Sequence, residues 1–359
     1  MSALPTTKEA LLQTGIMDPD FEAAWKARGA PRGEMPTDIS TLKGIVSASL
    51  PELQKKFAQS RPSNIAETEH HLPLSTGFTS RLLICHPTNT PEAAEKPSPI
   101  IILFHGGIHV LGLPEFDLPL ARTLATAHNA TIICPSTRKA PETAFPGMLD
   151  DAWAILQATA HATQDSGTSF LPPNADPAAG LIVGGTSSGA NFADVVAHLA
   201  RDNNLSPPLT GVFLACGGFM DPERGVPSPH KERYLSREQN RDAPIANEKF
   251  IKTFVEAINP DRESPLWAPF DWPAGSGEDG GDEKLGHAGM PPVYFQVCGM
   301  DINRDDGLVY EAVLRGCGVR TRVDLYRGLP HCWWDAYPDL EASKRRLEDT
   351  VEGFGWLLE

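Results

Sequence analysis

Short apolar runs alternate with longer amphipathic segments along the chain from about residue 95 onward. Parallel strands that helices cover on both faces are typically continuous in Val, Ile, Leu and Phe. The pattern therefore predicts β–α repeats and a mostly parallel sheet. Six buried strands are expected, at Pro99–Phe104, Ala130–Cys134, Gly180–Gly184, Leu209–Cys216, Pro292–Cys298 and Arg320–Tyr326.

Two β-prone runs precede these repeats. They are Glu67–Leu74 and Phe78–His86, and the turn-forming tripeptide Ser75-Thr76-Gly77 separates them. Two β-prone runs separated by so short a turn favour an antiparallel hairpin. We expect this hairpin at an edge of the sheet.

Two stretches interrupt the β–α rhythm. Residues 1–60 carry helical patterns at Asp18–Arg28 and Leu50–Gln59, broken by proline and glycine, and residues 217–263 contain an amphipathic pattern over Asn247–Val255. We interpret them as the N-terminal part and the internal insertion of a helical cap over a core made of residues 61–216 and 264–359. Pro273–Gly289 is rich in Gly, Asp and Glu and is predicted to be a mobile surface loop.

Composition narrows the class of protein. The 359 residues are 41% hydrophobic and 21% charged, enough for a large core, and we expect one domain with a cap. The N-terminus lacks a secretory pattern and no apolar run reaches membrane-spanning length, so a soluble cytoplasmic protein is predicted. A net charge of −15 disfavours nucleic acid and anionic membranes. A small-molecule partner is expected, and the sequence leaves a monomer and a homodimer open.

The cysteines and histidines show no metal-binding spacing. The six cysteines have no C-x-x-C pairs and mostly lie in apolar runs, which favours reduced core residues. We predict neither a metal nor a cofactor. The cysteines are Cys85, Cys134, Cys216, Cys298, Cys317 and Cys332.

The pentapeptide Gly185-Thr186-Ser187-Ser188-Gly189 lies directly after one predicted strand and before a helical segment. A strand that turns sharply into a helix can present one side chain at its apex only where the neighbouring residues are small. Ser187 is therefore predicted to be an exposed nucleophile.

A second glycine motif, His105-Gly106-Gly107-Ile108, ends the strand Pro99–Phe104. Glycines let backbone N–H groups approach a substrate oxygen closely, and fixed donors stabilise the negative charge that develops there in acyl transfer. We predict an oxyanion hole formed by the N–H groups of Gly106, Gly107 and Ser188.

An acid and a base follow two later strands. Asp301 follows the strand Pro292–Cys298 and lies 114 positions after Ser187. His331 follows the strand Arg320–Tyr326 and lies 30 positions after Asp301. Because carboxyl ends of parallel strands share one edge of a sheet, the three side chains can converge in the order Ser, Asp, His.

His331 is the predicted general base, and Asp301 is predicted to orient it. Two neighbouring carboxylates are rivals to Asp301, namely Asp305 and Asp306, which we expect instead to start or cap a helix over Asp306–Gly316. Ile108, His109 and Trp333 are candidate pocket residues. For Trp333 and the adjacent Trp334, aromatic core packing is an equal alternative.

These motifs, with Arg138-Lys139-Ala140-Pro141-Glu142 and Gly328-Leu329-Pro330-His331, resemble the hormone-sensitive lipase branch of the α/β-hydrolases over about residues 65–358. The resemblance implies an α/β-hydrolase fold, a cap, and serine esterase chemistry without a cofactor. The chain departs from that pattern at three positions. Ile108 replaces the third glycine of the family motif. Thr186 occupies a position where the family often has an acidic residue, and Ser188 occupies one where it often has alanine.

Three functions remain open at this point. The first is a carboxylic-ester hydrolase acting on a small to medium acyl ester. The second is the same scaffold catalysing acyl transfer, elimination or cyclisation on a specialised metabolite, or acting as an amidase. The third is a non-catalytic receptor, as in the gibberellin receptors that resemble this family, and the complete set of Ser187, Asp301 and His331 argues against it.

Overall fold

The structure is a computed structural model that describes residues 4–30, 38–88, 96–162, 169–221, 223–273 and 286–359. Within these residues, eight strands form one sheet. The strands are β1 (Ile65–Pro73), β2 (Thr79–Pro87), β3 (Ile100–Phe104), β4 (Thr131–Pro135), β5 (Leu181–Thr186), β6 (Gly211–Ala215), β7 (Val293–Cys298) and β8 (Thr321–Tyr326). Their spatial order is β1-β2-β4-β3-β5-β6-β7-β8.

The sheet is mostly parallel, as the apolar runs predict. β1 pairs antiparallel with β2, and β2 antiparallel with β4, whereas the neighbours from β4 through β8 all pair in parallel. The predicted hairpin and all six later strands are confirmed. One detail of the prediction is wrong: β8 is only half-buried, because it is the last strand of the sheet and has a neighbour on one side.

Helices flank the sheet on both faces. They are α1 (Lys8–Thr14), α2 (Pro19–Ala27), α3 (Ile39–Ser60), α4 (Leu118–His128), α5 (Gly147–Ala160), α6 (Ser188–Asp202), α7 (Ser236–Gln239), α8 (Glu248–Ile258), α9 (Arg304–Gly316), α10 (Trp333–Ala336) and α11 (Glu341–Leu357). Short 3₁₀ helices lie at Pro114–Asp117, Pro177–Ala179, Ser228–Arg233 and Pro269–Asp271. The architecture is the predicted α/β fold with a central sheet.

One helix is longer than its sequence pattern indicates. The prediction Leu50–Gln59 covers only the second half of α3, which begins eleven residues earlier, after Asp38. The Asp38 carboxylate accepts a hydrogen bond from the Thr41 N–H at 2.7 Å, which satisfies one of the unpaired donors at the helix start. Pro51 lies inside this helix, so the proline is not the helix boundary that its type suggests.

The N-terminal helices and the internal insertion lie against the loops at the carboxyl edge of the sheet. The Gly328 N–H donates to the Thr14 carbonyl at 2.7 Å, three residues before His331. Gln239 of the insertion donates to the Leu12 carbonyl at 2.7 Å. The two predicted parts of the cap therefore contact each other and one catalytic-loop candidate, although their boundaries at residues 60, 217 and 263 stay a prediction.

Two further expectations concern the surface. Most of the predicted mobile loop Pro273–Gly289, residues 274–285, lies outside the described residues. Among the helices of the described ranges, none combines the length and the apolar character needed to cross a bilayer.

Four of the six cysteines are buried, as expected for core residues, namely Cys85, Cys134, Cys216 and Cys298. Cys317 and Cys332 are partly exposed.

Candidate active site

Ser187 lies at the sharp turn between β5 and α6. Its backbone adopts φ 59° and ψ −122°, a conformation that costs energy for a residue with a side chain, and its N–H donates to the Ala215 carbonyl at 2.8 Å. The flanking glycines have no room for a side chain. A Cβ on Gly189 would lie 1.8 Å from the Phe104 carbonyl oxygen, and one on Gly185 would lie 2.3 Å from the backbone of Gly189. Close approach of β3, β5 and α6 thus requires both glycines and projects the serine outward.

Three predicted residues form one chain of hydrogen bonds. His331 Nε2 lies 2.8 Å from Ser187 Oγ, and His331 Nδ1 lies 2.6 Å from Asp301 Oδ2. Asp301 follows β7 and His331 follows β8, so neighbouring parallel strands deliver both side chains to the edge where Ser187 emerges. With Nδ1–H donating to the carboxylate, Nε2 is left to accept the serine proton.

Electrostatics favour a charged imidazole beside Asp301. Burial by itself lowers the pKa of His331, but the adjacent Asp301 carboxylate and, after it, the Cys216 sulfur raise that pKa well above its ordinary value. Burial also raises the pKa of Asp301, and the His331 charge partly offsets this. The arrangement stabilises the imidazolium that would form when the base takes a proton.

The two rival carboxylates lie at the start of the helix after Asp301, as expected, and they also bind the insertion. Asp305 and Asp306 lie in the first turn of α9 and are fully buried, but their side chains do not cap it. Asp305 Oδ2 accepts the N–H groups of Leu235 and Ser236 at 2.6 and 2.7 Å. Of the two expected roles, the start of the helix is confirmed and the side-chain cap is not, because N–H donors of the insertion occupy these carboxylates.

Asp306 anchors the other end of the insertion. Its carboxylate accepts the N–H groups of Phe219 and Met220 at 3.0 and 3.2 Å and the Tyr234 hydroxyl at 2.5 Å. Arg237 donates to both of its oxygens, at 3.1 and 3.2 Å. Asp305 and Asp306 thus fasten the insertion to the helix that follows Asp301.

The loop after β3 lies directly against the nucleophile. A Cβ on Gly106 would lie 3.3 Å from Ser187 Cβ, and Gly107 has a φ of 128° that favours glycine. Ser188 is the first residue of α6, so its N–H has no partner within the helix. Gly106 and Ser188 thus lie beside Ser187, and the role of Gly106, Gly107 and Ser188 as oxyanion donors stays a prediction.

His105 is a site residue that motif matching left without a role. Burial lowers its pKa to about 3, so the ring is neutral, and Nδ1 lies 2.8 Å from the Gly106 carbonyl oxygen. The ring then donates to that carbonyl and fixes the peptide plane beside the glycines. The sequence feature that could have identified His105 is its position at the start of the glycine motif.

A cavity of about 80 Å³ opens at Ser187. Ile108 and His109 line it as predicted, each with a positive φ, 53° and 56°, that is strained for such side chains. Its other apolar lining residues are Met220, Ile251, Val255 and Trp267, and its other polar ones are Ser188, Asn191, Arg237 and Asn303. Most of these residues belong to the insertion or its surroundings, where sequence alone gave no means of placing side chains.

The predicted pocket position of Trp333 is wrong. This side chain is fully buried and does not line the cavity. Its ring packs 5.1 Å from the Tyr326 ring and 4.8 Å from the Trp334 ring, measured between centroids. It begins the short helix α10, and its burial against these two rings confirms the aromatic-core alternative.

Thiols lie within a few ångströms of the base and its orienting acid. The ligand atoms of Cys216, His331 and Cys332 lie within 4.8 Å of one another, and so do those of Cys216, Cys298 and Asp301. Both groups share residues with the hydrogen-bonded chain of Ser187. Metal-ligand spacing in the sequence did not reveal these groups, because three different strand ends contribute to them.

Comparison with known proteins supports the α/β-hydrolase fold. The family model described as alpha/beta hydrolase fold matches residues 101–335. The chain is 30% identical over 310 residues to an AB hydrolase superfamily protein of Schizosaccharomyces pombe, covering 86% of this chain and 85% of that protein. It is 29% identical over 341 residues to the versiconal hemiacetal acetate esterase of Dothistroma septosporum, covering 94% and 93%. Among solved structures it is similar to vibralactone cyclase, with a TM-score of 0.83 and 27% identity over 100% and 98% of the two chains.

Proposed function

This chain belongs to the α/β-hydrolase fold family, and we propose that it hydrolyses carboxylic esters through an acyl-enzyme on Ser187. The observation that carries the proposal is the unbroken contact from Ser187 Oγ through His331 to Asp301, at 2.8 and 2.6 Å. Nucleophile, base and orienting acid are thereby within hydrogen-bonding reach of one another in the resting protein.

The reaction has two halves. His331 takes the hydroxyl proton as Ser187 attacks the ester carbonyl, and then gives it to the leaving alcohol. Water activated by the same imidazole attacks the acyl-enzyme and releases the acid. In both halves, the N–H groups of Gly106, Gly107 and Ser188 stabilise the negative oxygen, each worth about 3 kcal/mol in such sites.

The cavity favours a small acyl group. A volume of about 80 Å³ is small beside the roughly 300–1,000 Å³ of typical ligand pockets. Ile108 lines this cavity in place of a third glycine, so its side chain takes up space that a glycine would leave free. The substrate is proposed to be a small-molecule ester, and the chemistry needs no cofactor. Similarity to a hemiacetal acetate esterase supports an acetyl-sized group.

The proposal is tested with p-nitrophenyl acetate and butyrate and with a fluorophosphonate probe. The wild-type protein should turn over both esters, with acetate favoured, and the probe should label Ser187. Ser187→Ala should abolish both, whereas Ser188→Ala, which keeps the backbone N–H, should still be labelled. Neither turnover nor labelling in the wild-type protein would sink the idea.

A second candidate function is an intramolecular acyl transfer on the same serine. Similarity to vibralactone cyclase over essentially the whole of both chains is the observation that favours it. In that case a hydroxyl of the bound acyl group, rather than water, would resolve the acyl-enzyme. Reaction in H₂¹⁸O distinguishes the two: hydrolysis places ¹⁸O in the acid product, while cyclisation gives a product without the label.

A further inference from the structure

Three thiols lie together beneath His331. Cys216 follows β6, Cys298 ends β7, and Cys332 follows His331 in the loop after β8. These three strands are adjacent in the sheet, so their carboxyl ends bring the cysteines into one cluster. The sulfurs of Cys216 and Cys332 are only 3.4 Å apart.

Backbone conformation fixes this pair face to face. Cys216 has a φ of 43° and Cys332 a φ of 50°, both in the left-handed region that a residue with a side chain rarely adopts. Such strain persists where the surrounding structure imposes it, and it concentrates at functional sites. Here it turns two thiols toward each other next to the base, although neither thiol takes part in the acyl transfer proposed above.

We propose that Cys216 and Cys332 are a peroxide-sensitive modification site, where a disulfide forms and disables His331. The inference rests on the proposed function for its effect on turnover, whereas bond formation itself is independent of that function. The oxidant is a hydroperoxide, either hydrogen peroxide or a small organic one.

The chemistry proceeds in two displacements. The Cys216 thiolate attacks the terminal oxygen of the hydroperoxide, the O–O bond breaks, and an alcohol or water leaves with the sulfur oxidised to a sulfenic acid. The Cys332 thiol then attacks that sulfur, the S–O bond breaks, and water leaves as the S–S bond forms. Two thiols lose two protons and two electrons, and the hydroperoxide is reduced by two electrons.

The surroundings of Cys216 suit the first of these steps. Burial disfavours ionisation of Cys216, but hydrogen bonds from the thiols of Cys298 and Cys332 and the nearby His331 charge hold its pKa well below the usual range. Thiolate character promotes attack on a peroxide. Cys332 is partly exposed, which gives a small oxidant a path to the pair.

Closing the bond displaces the base. The sulfurs must move from 3.4 Å to about 2.0 Å, the length of a disulfide bond. Cys332 is covalently adjacent to His331, whose contact with Ser187 Oγ is 2.8 Å. A shift of the chain at Cys332 therefore pulls the imidazole out of hydrogen-bonding distance, and misplacement of a general base typically costs a factor of about 10²–10⁴ in rate.

The test treats the full-length protein with hydrogen peroxide and follows two readouts. Alkylation followed by peptide mapping should show one cross-linked pair, Cys216–Cys332, with a mass about 2 Da below that of the two reduced peptides. Ester turnover should fall about 10²-fold or more and return on treatment with dithiothreitol.

Variants separate this pair from general oxidation. Cys332→Ala and Cys332→Ser should each keep their own untreated rate after peroxide, whereas Cys317→Ala should remain as sensitive as wild type. A Cys216–Cys298 cross-link, or equal loss of turnover in wild type and Cys332→Ala, contradicts the inference. If the cross-link forms in a protein without esterase turnover, the proposed function fails and the modification site stands.

Discussion

The imidazole of His331 carries most of the chemistry at the scale of single residues, because it contacts both the nucleophile and the orienting acid. It must be neutral to accept a proton from Ser187. Asp301, together with Cys216, raises the pKa of His331 well above the ordinary value, so protonation of the base extends to higher pH than for a free histidine. The residues themselves were named from the sequence, whereas this electrostatic coupling depends on their separation in space.

The pH profile of ester turnover should therefore have an acidic limb with its midpoint above about 6.5, the ordinary histidine value. Activity falls as pH drops through the raised pKa, because the base becomes protonated. Asp301→Asn should lower kcat by about 10⁴-fold and move that limb toward lower pH, since the charge that raises the pKa most is gone. Measurement of kcat/KM from pH 5 to 9 checks both statements, and a limb that does not move in the variant contradicts them.

His105 should act through the oxyanion loop rather than on the substrate. His105→Ala frees the Gly106 carbonyl that now accepts from Nδ1 at 2.8 Å, so the neighbouring N–H groups lose their alignment. We expect kcat to fall about 10²-fold, as for loss of one oxyanion donor, with little change in KM. His105→Asn, which can still donate to that carbonyl, should recover part of the rate. A variant in which KM alone rises would show that the ring binds substrate instead.

At the scale of elements, the turn from β5 into α6 decides where the nucleophile lies. Gly189 packs against the Phe104 carbonyl at the end of β3, and the backbone of Phe104 and His105 leaves no space for a side chain there. The sequence motif predicted this turn, and the structure gives its steric reason.

Gly189→Ala should prevent the two elements from packing. The new Cβ would lie 1.8 Å from the Phe104 oxygen, so we expect loss of activity and a destabilisation of several kcal/mol, about the cost of severe overpacking or more. Gly44→Ala is the matched control, because Gly44 lies inside α3 with no atom within 4 Å of its Cβ position. That variant should gain about 0.5–1 kcal/mol from helix propensity. Urea unfolding followed by circular dichroism measures both.

The insertion is the other decisive element, and buried carboxylates of α9 hold it in place. Asp306→Ala leaves the Arg237 guanidinium and two N–H groups without their acceptor, so we expect about 3–5 kcal/mol of destabilisation. Because the insertion also lines the cavity, the preference for acetate over butyrate should weaken. Glu263→Ala at an exposed ion pair with Arg224 is the control and should change stability by less than about 1 kcal/mol. Equal effects of the two variants in urea unfolding would contradict the anchoring role.

For the molecule as a whole, local sequence patterns predicted the sheet, the succession of its strands along the chain and the candidate site residues. Continuous apolar runs marked the buried strands, and small residues marked the turns beside Ser187 and Gly106. These features depend on neighbours in the chain, so periodicity and motif spacing reveal them. The family match over residues 101–335 confirms the fold that they indicate.

Tertiary structure decided what lies around those residues. Trp333 lies in the core rather than the pocket, Asp305 and Asp306 bind the insertion besides starting their helix, and Cys216 contacts Cys332 across 116 positions. Each outcome depends on which distant element supplies a partner, and a single sequence does not show that. By itself the sequence determined the fold and the candidate catalytic residues, because local sterics and hydrophobic patterning specify them. Only packing between distant strand ends and the insertion determined the cavity, the pKa of the base and the thiol pair.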